Sequence, residues 1–300
     1  MSSPRVSVVV PTWRRPELLR VTLESIAAQT VRDIEVMVVS DGPSVENEAV
    51  VRALDDPRFV ALSVPHAGRP APARNLALGL ARGEFVALCD DDDVWEPEKL
   101  EAQLAAMRRH PSAAVCFTGL LNIDGAGTLR GRRRSPPRWY DRWPRLGFLS
   151  LPGYYIAPSS VVAPRAIVST VGVFDDEPGL RGFDDIEWLV RIAFRTRRRF
   201  VRVPAPLVRY RLDQARPGIG RDCGKSHTMA LLATVRKNSQ MTERSFRRFA
   251  ALHLVLMARV QLRAGVPRSE VMATLREADR FGFSLLGWAV RLRLQTSRTA

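Results

Sequence analysis

The chain has 300 residues, of which 46% are hydrophobic and 26% are charged, and its formal net charge is +15. This composition is typical of a globular protein with its own core and excludes the disordered, collagen-like and disulfide-stapled classes. The three cysteines (Cys89, Cys116 and Cys223) are odd in number and widely spaced, which fits a reducing compartment. The apolar runs fall short of the ~20 residues that span a bilayer, and the first one resembles a strand more than a signal peptide. We therefore expect a cytoplasmic protein.

Basic residues are concentrated in the later part of the chain. Residues 1–100 hold 11 basic and 16 acidic residues, whereas the remainder holds 35 basic and 15 acidic residues. Such a basic segment is compatible with nucleic acid, a membrane surface or a phosphorylated ligand as a partner. Nearly all of these basic residues are arginines, so an arginine-rich genome explains the charge equally well.

Four apolar runs in the first 90 residues predict the strands of a parallel sheet. They lie at 6–10, 34–39, 59–64 and 84–89. Continuous apolar runs are typical of strands that are covered on both faces. Helical patterns separate them, at about 16–27, 44–54 and 71–82. This alternation predicts an α/β domain with right-handed crossovers.

The remainder of the chain has a less regular pattern. We expect helices at 97–109 and about 184–196, strands at 113–118, 159–163 and 200–210, and a mostly helical segment at 227–300. Residues 125–147 are rich in Gly, Pro and Arg, which predicts a mobile surface loop. Four arginines of this loop either form a solvated cluster or grip the ligands: Arg130, Arg132, Arg133 and Arg134.

The turn after the first predicted strand lacks the glycines of common phosphate-binding motifs. Its sequence is PTWRRP, whereas a dinucleotide-binding fold needs glycines there so that the backbone can approach the pyrophosphate. The chain also lacks the GxxxxGK[ST] pattern of a P-loop. If the domain binds a nucleotide, it must do so through a different kind of binding motif.

Carboxylates fall at the ends of two predicted strands. Asp41 follows the second strand, and a run of four aspartates, residues 90–93, follows the fourth. Pro11 and Thr12, at the end of the first strand, would share this edge of a parallel sheet, where ligands of α/β folds bind. Adjacent acids repel one another unless a cation offsets their charge, and their hard oxygens select Mg²⁺ or Mn²⁺. The alternative is a solvated acidic turn before the next helix.

The chain resembles the family 2 glycosyltransferases with the GT-A fold over about residues 5–212. Five segments carry the resemblance: VSVVVPTWRRPELLRVTLESIAAQT, IEVMVVSDG, ARNLALGLARGEFVALCDDDDVWEPEKL, SSVVAPRAIVSTVGVFDDE and GFDDIEWLVRIA. The resemblance implies a mainly parallel sheet flanked by helices, with a helical C-terminal extension. It also implies a metal-dependent hexosyltransferase that inverts the anomeric centre, takes its sugar from a nucleotide sugar, with UDP favoured, and uses Mn²⁺ or Mg²⁺.

The resemblance assigns four residues to the nucleotide. Pro11 and Thr12 match the segment that lines the base and ribose, and Asp41 matches the carboxylate that accepts a hydrogen bond from the base. Arg74 matches the arginine of the family's R-N pair near the diphosphate. The alternative for Arg74 is an ordinary charge on the surface of a helix.

The resemblance assigns further acids to the metal and to catalysis. Asp90 and Asp92 match the ends of the D-x-D motif, with Asp92 as the metal ligand, Asp90 at the ribose or the metal, and Asp91 between them. Asp185 matches the second acid of the E-D motif and is the candidate catalytic base. Because Asp184 stands where the family often has Glu, the choice between Asp184 and Asp185 as the base stays open.

Other departures from the family pattern limit the assignment. The usual D-D after the second strand is Ser40-Asp41, so only the second acid remains. The stretch YRLDQARPG lacks the His that some members carry, so a third protein ligand for the metal is unidentified. The four histidines show no metal-ligand spacing and are expected to be structural: His66, His110, His227 and His253.

We expect a catalytic domain at 1–222, divided into a nucleotide-binding half (1–110) and an acceptor half (111–222), and a helical region at 223–300. The expected partners are a nucleotide sugar and an unidentified hydroxyl acceptor, with no nucleic acid. Peripheral membrane contact and a homodimer both stay open. The alternatives are a sugar-phosphate nucleotidylyltransferase, which would favour a glycine-rich first turn, and a non-catalytic basic binding protein on the same fold.

Overall fold

A computed structural model describes residues 3–131, 139–150, 156–212 and 225–282. Its strands are β1 (Val6–Thr12), β2 (Ile34–Asp41), β3 (Phe59–Val64), β4 (Phe85–Leu88), β5 (Val94–Trp95), β6 (Val115–Ile123), β7 (Val161–Pro164) and β8 (Phe200–Arg211). Its helices are α1 (Pro16–Ala27), α2 (Val45–Ala53), α3 (Ala71–Leu80), α4 (Lys99–Arg109), α5 (Trp139–Arg142), α6 (Pro144–Ser150), α7 (Ala166–Val171), α8 (Asp184–Thr196), α9 (Lys225–Asn238), α10 (Glu243–Arg263) and α11 (Arg268–Phe281).

The described strands form one mixed sheet in the order β3-β2-β1-β4-β7-β6-β8-β5. The first four strands of the chain run parallel to one another. Strand β7 runs antiparallel to both of its neighbours, β8 is parallel to β6, and β5 pairs antiparallel with β8 at the edge. The predicted α/β fold with a mainly parallel sheet flanked by helices is therefore confirmed.

Alternate residues of β1 point into different hydrophobic clusters, which explains its continuous apolar sequence. Val9 belongs to one cluster together with Ala73 of α3, whereas Val8 and Val10 belong to a second cluster together with Leu23 of α1. Successive side chains of a strand project to opposite faces. Both faces of this part of the sheet are therefore covered by helices, which leaves the strand ends as the exposed part that can bind a ligand.

The prediction of a surface loop at 125–147 is wrong for its last part. Residues 139–147 fall in α5 and α6, and the side chains of Tyr140 and Phe148 are fully buried. Tyr140 packs edge-on against Phe148, which packs in the same way against Phe200 of β8. A Cβ at position 147 would lie 2.4 Å from the Tyr140 ring, so the glycine at that position permits this packing. Arg132, Arg133 and Arg134 lie outside the described residues.

The helical prediction for the C-terminal segment is confirmed as far as residue 281. Helices α9, α10 and α11 contribute to the hydrophobic cluster that also contains α8, through residues such as Leu231, Phe249 and Val271. None of the helices within the described ranges has the length and apolar character that a membrane span requires. Residues 283–300 and Cys223 lie outside the described part, and the predicted domain boundaries stay predictions.

Candidate active site

The ends of β1, β2 and β4 and the first turn of α8 surround one cavity of about 500 Å³. All of the residues to which the sequence assigned a role line it: Pro11, Thr12, Asp41, Arg74, Asp90, Asp91, Asp92 and Asp185. They meet because parallel strands bring their carboxyl ends to one edge of the sheet. The cavity also has aromatic and basic walls for which the sequence pattern predicts no role in binding, among them Trp13, Arg15 and His66.

Asp91 fastens the turn after β1 to the acidic run after β4. Thr12 Oγ1 donates to Asp91 Oδ2 at 2.7 Å, and the Trp13 backbone N–H donates to the same oxygen at 3.4 Å. Arg15 Nη2 donates to the other oxygen of Asp91. The Asp91 side chain is only 1% exposed. Asp91 is therefore committed to contacts within the protein and holds the cavity wall in shape.

Arg15 also bridges to the next acid of the run. Its Nη1 donates to Asp92 Oδ2 at 2.7 Å, so one guanidinium spans the carboxylates of Asp91 and Asp92. Burial, together with the charge of neighbouring Asp92, raises the pKa of Asp91 to about 7 against the opposing effect of Arg15. Burial also raises the pKa of Asp92, and burial together with the charges of Asp92 and Asp90 raises that of Asp93. These three carboxyl groups therefore hold a proton more readily than an exposed aspartate does.

Arg74 is a buried cation on α3, so the alternative of a surface charge is wrong. Its Nη1 donates to Asp184 Oδ2 at 2.5 Å, and its Nη2 donates to Asp90 Oδ1 at 2.7 Å. Burial lowers the pKa of Arg74, but the charges of Asp184 and Asp90 more than reverse this, so the net shift is upward. Arg74 therefore stays charged and links the acidic run to the first turn of α8.

The two acids at the start of α8 have different environments. Asp184 is buried and paired with Arg74, whereas Asp185 Oδ1 accepts a hydrogen bond from the Ile186 backbone N–H at 2.8 Å and its side chain is partly exposed in the cavity. Burial and the neighbouring charge of Asp184 raise the pKa of Asp185 to about 7. A carboxylate with this pKa can accept a proton near neutral pH.

The opposite end of the cavity is built around Asp41. Its carboxylate oxygens accept hydrogen bonds from the backbone N–H groups of Ala67 at 2.6 Å and Gly68 at 2.8 Å. His66 Nδ1 lies 3.2 Å from Asp41 Oδ2, and the His66 ring stacks on Trp13 with centroids 4.1 Å apart. His66 therefore forms part of the cavity wall, and its expected structural role stays a prediction.

The acidic run after β4 offers carboxylate oxygens to a divalent cation. Among the residues that the structure describes, no three His, Cys, Asp or Glu side chains form a metal cage. However, Asp90 and Asp92 remain 27% and 22% exposed, and the arginines in the described part of the chain engage one oxygen of each, Oδ1 and Oδ2 respectively. Mg²⁺ is commonly bound by one or two carboxylates together with substrate phosphates and waters. The donor set fits a cation that is shared with a diphosphate.

The comparisons with known proteins agree with this architecture. The family model described as "Glycosyl transferase family 2" matches residues 7–157. These residues include most of β1, the strands β2 to β6 and the whole acidic run. The chain belongs to glycosyl transferase family 2. The matched segment contains the ends of β1, β2 and β4 that line the cavity, whereas Asp184 and Asp185 lie outside it.

Several curated proteins are similar to parts of this family 2 chain. A glycosyltransferase of Methanocaldococcus jannaschii, MJ1057, is 33% identical over 134 residues, 43% of this chain and 46% of that protein. The Escherichia coli protein named UDP-Glc:alpha-D-GlcNAc-diphosphoundecaprenol beta-1,3-glucosyltransferase WfgD is 32% identical over 105 residues, 35% of this chain and 42% of that protein. The matches thus span less than half the length of these relatives.

Two solved structures show the same fold. Residues 1–349 of S. aureus TarS in complex with UDP superpose with a TM-score of 0.70 at 18% identity, covering 96% of this chain and 86% of that one. The mannosyltransferase PcManGT from Pyrobaculum calidifontis, in complex with GDP-Man and Mn²⁺, gives a TM-score of 0.60 at 19% identity, covering 100% and 82%. At these identities the likeness concerns the fold alone.

Proposed function

We propose that the protein transfers a sugar from a nucleoside-diphosphate sugar to an acceptor hydroxyl, with inversion at the anomeric carbon and with Mn²⁺ or Mg²⁺ as cofactor. One observation carries the proposal: Asp41, Asp92 and Asp185 surround a single cavity of about 500 Å³. Family membership supports it. The names of similar proteins support it as well, since one is a UDP-Glc-dependent glucosyltransferase and others were solved with UDP, UDP-GlcNAc or GDP-Man.

Asp41 is the group that we assign to the nucleobase. Its carboxylate is buried and held by two backbone N–H groups, which fix its orientation at the end of β2. A fixed carboxylate can accept a hydrogen bond from a base that offers a ring N–H. Uracil offers one, and thymine and guanine do so too, so a UDP-sugar is favoured without excluding other donors. Pro11 and Thr12 lie beside it and would line the base and ribose.

Asp92, assisted by Asp90, would hold the divalent cation, and Arg74 would keep Asp90 in place through their 2.7 Å contact. When bound, the cation neutralises the charge that builds up on the departing nucleoside diphosphate. The arginines of the cavity also offer donors to phosphate oxygens, because a guanidinium matches phosphate geometry well. This combination of acids and arginines favours a diphosphate over an uncharged ligand.

Asp185 is the proposed general base. The bond between the acceptor oxygen and the anomeric carbon forms as the bond between that carbon and the diphosphate oxygen breaks, and the acceptor proton passes to the Asp185 carboxylate. Its contact to the Ile186 N–H uses one oxygen and orients the side chain in the cavity. Asp184 is the weaker candidate because its carboxylate is buried in an ion pair with Arg74. Attack opposite the leaving group inverts the configuration.

Calorimetric titration of the purified protein with UDP, GDP and dTDP, each with Mn²⁺, tests the donor assignment directly. We expect UDP to bind most tightly and Asp41→Asn to weaken UDP binding by about tenfold, which corresponds to one lost hydrogen bond. Asp33→Asn is a matched control, because Asp33 is exposed and its side chain is not part of the cavity. If none of the nucleotides binds to the folded wild-type protein, the proposal is wrong.

A further inference from the structure

Arg15 occupies an unusual position in the cavity, because it is a cation of the protein itself in contact with the acid that we assign to the metal. The guanidinium donates from Nη1 to Asp92 Oδ2 at 2.7 Å and from Nη2 to Asp91. A divalent cation on Asp92 would therefore meet a positive charge that is already present. Like charges at contact distance repel strongly where water is largely excluded.

The two contacts of Arg15 differ in how firmly they are held. Asp91 is almost completely buried and is also bound by Thr12, so its contact to Arg15 belongs to a fixed network. The Asp92 side chain is 22% exposed, and Arg15 is its only hydrogen-bond partner among the described side-chain contacts. The contact to Asp92 is therefore the easier one to exchange.

The local backbone restricts any such exchange to the side chain. Pro16 begins α1 directly after Arg15, and its fixed φ stabilises the first turn of the helix. The Arg15 Nε is buried and has no hydrogen-bond partner within the described part of the chain, so the guanidinium keeps an unused donor. Because Nε is buried, a phosphate oxygen that enters the cavity would accept from an Nη group, since a guanidinium presents several donors in one plane.

We propose that Arg15 is a positioning residue that occupies Asp92 in the free protein and thereby makes metal binding depend on the nucleotide. The inference rests on the proposed function. The incoming diphosphate draws one Nη of Arg15 away from Asp92, while the contact to Asp91 is retained. Asp92 then becomes available to the divalent cation, and the displaced positive charge faces the diphosphate. Metal and nucleotide consequently bind with positive coupling, in which each raises the affinity for the other by the same factor.

Titration of the free protein with Mn²⁺ alone tests this inference, with bound Mn²⁺ measured by electron paramagnetic resonance. We expect the nucleotide-free Arg15→Gln variant to bind Mn²⁺ about tenfold more tightly than the wild type, since a repelling charge is removed. Addition of UDP should increase the Mn²⁺ affinity of the wild type by more than that of the variant. Arg20→Gln is the matched control, because Arg20 is exposed on α1, the helix that follows Arg15, and lies outside the cavity. Its Mn²⁺ affinity should equal that of the wild type.

A merely structural role of Arg15 predicts the opposite result, a loss of Mn²⁺ affinity. An unchanged or weaker affinity in folded Arg15→Gln overturns the inference, and so does a gain that persists in Arg15→Gln combined with Asp92→Asn. Should Arg15→Gln not fold, Arg15→Lys decides: a lysine cannot span two carboxylates, so we expect a smaller gain, and a wild-type affinity overturns the inference. These readouts need no sugar transfer, so a failure of the proposed function is detected separately, by the absence of nucleotide binding.

Discussion

Arg74 on α3 and Asp184 on α8 form a buried ion pair at 2.5 Å, although 110 positions separate them in the sequence. The second Nη of Arg74 reaches Asp90 at the end of β4. This guanidinium thus ties the acidic run to the helix that carries the proposed base. Because both partners are almost fully buried, removal of Arg74 leaves Asp184 as a buried charge without its partner, whereas removal of Asp184 leaves Arg74 paired with Asp90.

Arg74→Met is expected to lower the free energy of unfolding by about 3–5 kcal/mol, because Asp184 would then be a buried charge without its partner. Urea denaturation measures this change. The control is Arg82→Met, which removes the exposed pair between Arg82, 69% exposed, and Glu35; surface pairs contribute no more than about 1 kcal/mol. Equal losses in the two variants would contradict the structural role of Arg74.

Asp185→Asn and Asp184→Asn should have different effects. Loss of the proposed base in Asp185→Asn should slow transfer by about 10²–10⁴-fold, while donor affinity and stability stay close to those of the wild type. Asp184→Asn should instead lower the free energy of unfolding by about 1–3 kcal/mol, because it weakens the contact with Arg74. Single-turnover kinetics, calorimetry and urea denaturation separate the two. Full transfer activity in Asp185→Asn would refute the assignment of the base.

The pH dependence of kcat/KM should follow the ionisation of Asp185. Its pKa is raised to about 7 by burial and by Asp184, and only the ionised form accepts a proton. We expect kcat/KM to fall about tenfold per pH unit below pH 7 and to level off above it. The residual kcat/KM of Asp185→Asn should not show this fall below pH 7. A flat wild-type profile between pH 5.5 and 8 is the opposing result.

The stability of the metal-free protein should also depend on pH. In the folded state the pKa values of Asp91 and Asp185 are raised to about 7, above the ordinary aspartate value of 3.8. Their protonated forms therefore contribute stability at low pH, and this contribution is lost as the pH rises through 7. Mn²⁺ competes with protons for carboxylates, so it should raise Tm more at pH 8 than at pH 5.5. Equal shifts at both values, measured by calorimetry, would argue against a metal on this acidic run.

Asp92→Asn isolates the predicted metal ligand. We expect sugar transfer to fall by at least about 10²-fold, because the charge of the leaving diphosphate is no longer offset, with Tm close to that of the metal-free wild type. The Mn²⁺-dependent rise in Tm should disappear as well. Asp33→Asn, on the exposed surface, should behave as the wild type in both assays. Retained Mn²⁺-dependent transfer in Asp92→Asn would move the metal to another acid.

The strand pattern of the sequence was sufficient to predict the fold and the edge at which the site lies. Valine-rich β1 and the apolar runs of β2 and β4 predict a sheet covered on both faces, and strand polarity then predicts that Pro11, Asp41 and Asp92 share one edge. The contact between Arg15 and Asp91 could not be predicted in this way, because it joins positions 76 residues apart without a local pattern.

The error at 125–147 has a similar physical origin. Its overall composition of Gly, Pro and Arg is that of a loop, yet Tyr140, which lies next to Asp141, is a core residue, as is Phe148 directly after the segment. Phe148 packs against Phe200, which is far away along the chain, and Tyr140 packs against Phe148. An average over a segment conceals such single buried aromatic residues, although Trp139, Tyr140 and Phe148 were visible as a signal in the sequence.

The link that Arg74 makes also constrains any attempt to change acceptor preference by recombining relatives. A chimera that keeps residues 1–110 and receives its remaining segments from another protein inherits the guanidinium but not its partner at position 184. Such a graft succeeds only where the imported helix presents an acid at that place. The choice of crossover points should therefore preserve this pair before any residue near the acceptor is redesigned.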